Sequence, residues 1–352
     1  MIDYLIVGQG LAGSCLAMQL ISAGKKVLVL DTPAQNRSSL IAAGLFNPIT
    51  GKAMSRTWMA PEIFNWLHEF YPKAEQLLNN KFFYRVPVYR PFLSVQEQNE
   101  WMAQSADVNY RDFIETIYTG ATYGHQVHDH FGGMVIKQSG YVDVPAFLEA
   151  ARYWLQQQAA FEVDAFNEAA LQIDERKIEY GPWQAAAIVF CTGTAIRNST
   201  LWRGLPVQPL KGETLTIKMT SQPEQIYNRG VYIVPSGPLS YKVGATYEAH
   251  NLTEEITEAA RMELEQRTRE LLRLPFEIVA QEWGVRPTSP DRRPMLGRHP
   301  EWKNVLIFNG LGTKGVSLAP YFATQMAQWL VGGPEIISQV NIKRFKALYS
   351  KP

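Results

Sequence analysis

The first thirty-one residues constrain the fold more than any other stretch of the chain. An apolar run, Tyr4–Val7, meets the glycine-rich turn GQGLAG, Gly8–Gly13, and a helical pattern follows from Leu11 to about Ala23. KKVLVLD, Lys25–Asp31, is a second apolar strand closed by an acid. This order predicts a β-α-β unit whose strands are parallel, because the crossover between them is right-handed. In that setting the three glycines acquire roles that G-x-G-x-x-G alone does not establish. Gly8 permits the tight turn, Gly10 lets the backbone approach a pyrophosphate, and Gly13 allows the helix to pack against the strand. Leu11 and Ala12 open a helix whose free N–H groups and positive dipole favour phosphate. Asp31 is positioned to accept hydrogen bonds from ribose hydroxyls, and its charge disfavours a 2′-phosphate and hence NADP. The expectation is a dinucleotide site.

Two further strand-to-glycine elements lie far along the chain. AAAIVFCTGTA, Ala185–Ala195, reads as a buried strand ending at Thr192 and Gly193, and NVLIFNGLGTKG runs into a helix opened by Gly315. Between them, runs such as YRVPVYRPF, ETLTIKM and VYIVPSGPLSYKVGATYE alternate and are broken by Pro and Gly, which predicts antiparallel strands. Helices are expected over Pro61–Leu78, over Val142–Gln158 with Asp143 as N-cap, and over Thr253–Leu274. The expected fold class is α/β: a Rossmann-type domain built from separated segments, 1–80, 141–212 and 285–352, with an antiparallel-sheet substrate domain inserted at 81–140 and 213–284.

Two segments bear on NAD against FAD. RSSLIAAGLFNP, Arg37–Pro48, supplies small residues just after the ribose-binding acid, where a chain would run alongside a cofactor. In NGLGTKG, Gly315 opens a helix whose positive end suits the flavin edge on which negative charge collects. An NAD-dependent dehydrogenase leaves that loop unexplained, whereas a simple strand-to-helix turn accounts for it without any cofactor.

Taken together, VGQGLAGSCLA with Asp31, SSLIAAG, VFCTGT, LPVQPLKGE, VYIVP…YKVGATYE, GVRPTSPDRRPMLG and NGLGTKGVSLAP carry a resemblance. Along nearly its full length the chain resembles the FAD-dependent amino-acid oxidase family that includes glycine oxidase, sarcosine oxidase and D-amino-acid oxidase. Residues 52–140 match only in texture, and Asp31 stands where many members have Glu. FNPITGK and GLGTKG look closer to the oxidase half of the bifunctional tRNA wobble-uridine modification enzyme. The resemblance implies a glutathione-reductase-like FAD domain and non-covalent FAD. It assigns cofactor contacts to Gly8, Gly10, Leu11, Ala12, Gly13 and Asp31, and to Ser38, Ser39, Ala43 and Gly44. Thr192 and Gly193, and Gly310, Gly312, Thr313, Lys314 and Gly315, complete that set. It further implies oxidation of the C–N bond of an amino acid or secondary amine to an imine, by hydride transfer to flavin N5. Peroxide then forms as molecular oxygen takes up the electrons, another acceptor being the alternative.

In that family the arginine of G-x-R-P binds the substrate carboxylate, and Arg286 occupies the position. A guanidinium matches a carboxylate with a rigid two-point fork. The alternative is a structural arginine paired with Asp291 or Glu248. Tyr232 matches a tyrosine lining the substrate pocket, though a bare strand tyrosine more often packs. No side chain is assigned as a catalytic acid or base, since an amine bound neutral needs none.

Composition excludes more than it assigns. A net charge of +1 provides no global field for nucleic acid or acidic membrane. A local basic excess, Arg286, Arg292, Arg293, Arg298, Lys303 and Lys314 against Asp291 and Glu301, keeps tRNA as the less favoured substrate. A catalytically silent FAD-binding scaffold is the remaining alternative. Cys15 and Cys191 read as buried thiols of a reducing compartment, and with no signal peptide and no apolar run of membrane length, a cytoplasmic protein is expected. HQVHDH, His125–His130, lacks a helical His pair and reads as a polar loop, so no metal is expected.

Overall fold

In the computed structural model, residues 1–32, 37–51, 54–250 and 252–346 are described; the middle of the polar link after Asp31 and the end of FNPITGK lie outside them. Five strands pair in parallel in the order Phe161–Val163, Val27–Asp31, Ile2–Val7, Trp183–Phe190 and Val305–Asn309. Strand alternation sorts their apolar side chains onto two faces. Ile6, Val29, Val189, Leu306 and Phe308 pack under the helices Leu11–Ser22, Ala60–Leu78 and Gly315–Leu330. Leu5, Leu28, Ile188, Val305 and Ile307 face the opposite way, against Ile178, Tyr180 and Trp202. Burial on both faces explains why these strands read as unbroken apolar runs.

The second large sheet has eight strands, ordered Phe276–Thr288, Gln208–Met219, Ser240–Gly244, Val231–Gly237, Ile226–Arg229, Val88–Pro91, Gly133–Ile136 and Ile114–Tyr118. One face packs Leu215, Ile217, Tyr227, Ile233 and Val243 against the helix Glu258–Leu271. Gln208 pairs with Thr288 and Met219 with Phe276 in one ladder, bulged at Thr216–Ile217, which crosses the expected domain breaks after residues 212 and 284. Arg286 therefore lies within this sheet rather than beyond a strand end.

Local signals explain the element boundaries. Asp143 caps its helix by accepting from the Ala146 N–H at 3.0 Å. The helix expected from Thr253 begins only at Glu258, because the Glu213 carboxylate holds Thr257 at 2.9 Å and the Thr257 hydroxyl then caps Ala260. Within 81–140, expected to be all strand, Val95–Gln104 is a helix. Its start, Ser94-x-x-Glu97, was readable: Ser94 Oγ accepts from the Glu97 N–H at 3.1 Å, and the Glu97 carboxylate accepts from Leu93 N–H.

Candidate active site

The strands Ile2–Val7, Trp183–Phe190 and Val305–Asn309 are adjacent and parallel, so the glycine turns that end them converge at one edge. That edge, the carboxyl end of a parallel sheet, is where α/β folds bind ligands. A cavity of about 2150 Å³ opens there, beyond the roughly 300–1,000 Å³ typical of single small-ligand sites. It has room for a dinucleotide and a substrate. Gly8, Gly10, Leu11, Ala12, Asp31, Ser38, Ser39, Ala43, Gly44, Thr192, Gly193, Gly310, Gly312, Thr313, Lys314, Gly315, Tyr232 and Arg286 all line it. Gly13 does not; it lies beneath, where a Cβ would collide with the Gly8 carbonyl.

The first glycine turn is shaped for an anion. Gly8 has φ +101°, and a Cβ there would lie 2.6 Å from the Cys191 carbonyl oxygen, so the two turns touch backbone to backbone. Gly10 caps the helix with no side chain, so the first-turn N–H groups stay open to the cavity. The Thr192 hydroxyl is buried at the same edge without a hydrogen-bond partner among the described residues. Asp31, which closes the second strand, pairs with Arg37 at 2.5 Å through Oδ2. These features fit a dinucleotide: open amides for phosphate, an acid for ribose and an unserved hydroxyl.

A residue that sequence reasoning missed fixes the turns to one another. Asn309 donates from Nδ2 to the Gly193 carbonyl at 2.9 Å and accepts from the Gly310 N–H at 2.8 Å. An asparagine just before a glycine pair was its signal. Lys314 donates to the Thr57 hydroxyl at 3.2 Å, and burial, followed by the nearby charge of Arg292, holds its pKa below the usual lysine value. Among the described residues it forms no ion pair, so its charge faces the cavity.

Arg286 enters from the sheet side. Its guanidinium lies on Gly212, where any Cβ would overlap the nitrogens. It stacks over the Tyr247 ring at 5.1 Å, and Nη1 donates a long 3.4 Å hydrogen bond to the Thr246 carbonyl. Neither carboxylate suggested as its structural partner pairs with it. Asp291 is held by Arg344 at 2.8 Å, and no carboxylate among the described residues forms an ion pair with Arg286. The Tyr232 hydroxyl lies over Gly244, on the strand next to that of Gly212. Burial pushes its pKa up, against the lowering effect of Arg286, so it stays a proton donor at neutral pH. A charged fork and a phenol O–H thus face one space.

Arg292 and Lys314 line the cavity with Arg286, while Arg293 stacks on Trp58 at 4.9 Å and Arg298 on Trp329 at 4.7 Å. His125 pairs with Glu224 at 2.9 Å, and no cluster of three or more His, Cys, Asp or Glu side chains among the described residues is placed to hold a metal. No described helix is long and apolar enough to cross a membrane. Cys15 and Cys191 are both buried and free.

Comparison with known proteins agrees with this geometry. The chain is 26% identical to the bifunctional protein ThiO/ThiG of Trichormus variabilis, over 98% of its own length and 55% of that protein. It is 23% identical to the tRNA 5-methylaminomethyl-2-thiouridine biosynthesis bifunctional protein MnmC of Idiomarina loihiensis, over 98% of its length and 59% of the relative. It thus spans little more than half of each. Glycine oxidase from Bacillus cereus has the same fold, with a TM-score of 0.80 at 19% identity, covering 100% of this chain and 99% of that one. The model of the FAD dependent oxidoreductase family matches residues 3–329, and the protein belongs to that family, with FAD as its cofactor.

Proposed function

We propose that this chain oxidises an amine that carries a carboxylate, an amino acid or N-substituted amino acid, to the imine, with oxygen as acceptor and peroxide as product. Arg286 is the observation that carries this reading: a half-buried guanidinium, without a carboxylate partner among the described residues, faces a cavity built for a dinucleotide. Bound FAD supplies the two-electron chemistry. The protein's part is orientation and charge. Arg286 fixes the carboxylate at two points, and Tyr232 donates a hydrogen bond beside it, so the amine-bearing carbon is held in one pose. No histidine lines the cavity among the described residues, and no acid or base is assigned. Lys314 and the N-terminus of the helix Gly315–Leu330 add positive charge to the same space.

Peroxide release from purified protein across amino acids, N-methyl amino acids and modified tRNA tests the reading. Release with a carboxylate-bearing amine is the expected result, and activity confined to amines without a carboxylate overturns it. Release only with modified tRNA would instead select the tRNA substrate. The flavin should leave with acid precipitation, because both cysteines are buried and the Cys191 side chain turns toward Gly13, beneath the cavity. Colour in the pellet would show a covalent link.

Asp31→Ala should weaken FAD retention by roughly 10- to 100-fold, the equivalent of losing charge-assisted hydrogen bonds worth about 1.5–3 kcal/mol. Flavin released on dialysis against wild type measures it. Equal retention would show that Asp31 serves only to hold Arg37.

A further inference from the structure

Another arginine, Arg90, lines the same cavity, and nothing described so far uses it. In the strand Val88–Pro91, Tyr89 is fully buried in the aromatic core and donates to Asp129 at 3.0 Å. Alternation therefore turns Arg90 to the opposite face, the one that lines the cavity. Tyr89 pairs with Tyr227 on the core face, which puts Asn228 beside Arg90 on the other, and the pairings Asn228–Tyr232 and Tyr232–Gly244 continue that cavity face across the sheet toward Gly212 and Arg286. Arg90 Nε is buried and has no hydrogen-bond partner among the described residues. The carboxylate within electrostatic reach, Glu97, is already taken by Arg229, through hydrogen bonds of 2.7 and 3.0 Å. Two guanidinium groups share one carboxylate, and the unmatched charge is the one facing the cavity. Burial, and then Arg229, push the Arg90 pKa down to about 10, which still leaves it charged at neutral pH. A desolvated, unpaired guanidinium is costly unless something anionic meets it.

We propose that Arg90 forms a second anion-binding subsite at the far end of the cavity, so that the substrate is an elongated amine with its reacting carboxylate on Arg286 and another anionic group, carboxylate or phosphate, on Arg90. This rests on the amine-oxidase reading of the Arg286 site. The strands of Gly212, beneath the Arg286 guanidinium, and of Arg90 are four steps apart, roughly 19 Å at about 4.8 Å per step. A glycine-sized substrate held by Arg286 does not reach Arg90. A chain of several bonds between the two anionic groups does.

Binding of non-oxidisable probes to the FAD-loaded protein, followed by calorimetry, tests this. The probes are saturated α,ω-dicarboxylates from four to ten carbons, monocarboxylates of equal length, and the matching ω-phosphonocarboxylates. Beyond some length the dicarboxylate, the phosphonocarboxylate or both should bind at least tenfold more tightly than the monocarboxylate, and the tighter of the two identifies the anionic group. Arg90→Met should bring that ratio close to one, and Arg90→Lys should restore part of it, whereas Arg286→Met should weaken mono- and dicarboxylate alike. A wild-type ratio near one for both anionic series at every length overturns the subsite without needing any variant, as does a ratio that survives Arg90→Met. If Arg286→Met leaves all affinities unchanged, the Arg286 reading fails with it; if only the length advantage is missing, the Arg286 reading stands.

Discussion

Replacing Arg286 with alanine is expected to lower kcat/KM for a carboxylate-bearing amine by roughly 10²–10³-fold, the loss of two charge-assisted hydrogen bonds, with flavin content unchanged. The amide of the same substrate should lose little, because it presents no carboxylate to the fork. Arg286→Lys should recover only part of the activity, since an ammonium keeps the charge but not the two-point geometry. Gly212 offers an independent check. The guanidinium lies on its Cα, so Gly212→Ala must displace it and should reproduce the acid-selective loss without touching the charge. Steady-state rates on matched acid and amide substrates, with the flavin-to-protein absorbance ratio as control, decide the matter. Equal losses on acid and amide would make Arg286 a structural residue.

The cofactor half of this site was legible in the sequence because backbone geometry wrote it there. A strand that must turn sharply, expose amides and let a helix pack closely has few options besides glycine. Gly8, Gly193, Gly310 and Gly312 sit at the turns with positive φ, and Gly13, inside the helix, lets it pack against the Gly8 carbonyl. The three distant turns converge because their strands are parallel neighbours, an order the sequence reading did not supply. The sheet half was harder to read. Arg286 was singled out, yet its place inside a strand was not, because a Gly-x-Arg-Pro stretch resembles a strand end while its pairing partner lies some 75 residues earlier at Leu210. Arg90 left no local signal at all. It sits in a short alternating run, and its significance arises only when Tyr89 turns into the core and Glu97 is claimed by Arg229, both long-range facts. The helix Val95–Gln104 is the opposite case, where a capping signature was present and the Pro- and Gly-rich surroundings obscured it.

Gly10→Leu is expected to yield folded protein without flavin. Gly10 has φ −83° and ψ −166°, a conformation open to any L-residue, and a Cβ there would meet only the Ser39 hydroxyl, at 3.4 Å. The backbone therefore accepts the substitution, and the rest of the leucine side chain projects into the cavity above the open amides of the helix Leu11–Ser22. That is the space a pyrophosphate needs, so the expected result is a colourless protein with a native far-ultraviolet spectrum. It should melt at a lower temperature than wild type, and added FAD should not raise its Tm, because a ligand that no longer binds the folded state cannot stabilise it. Gly13→Ala separates packing from occupancy. A Cβ at Gly13 collides with the Gly8 carbonyl beneath the cavity, so that variant should lose folded protein itself rather than only its colour. Wild-type flavin content in Gly10→Leu would place the phosphates elsewhere in the cavity and overturn the assignment of the first glycine turn.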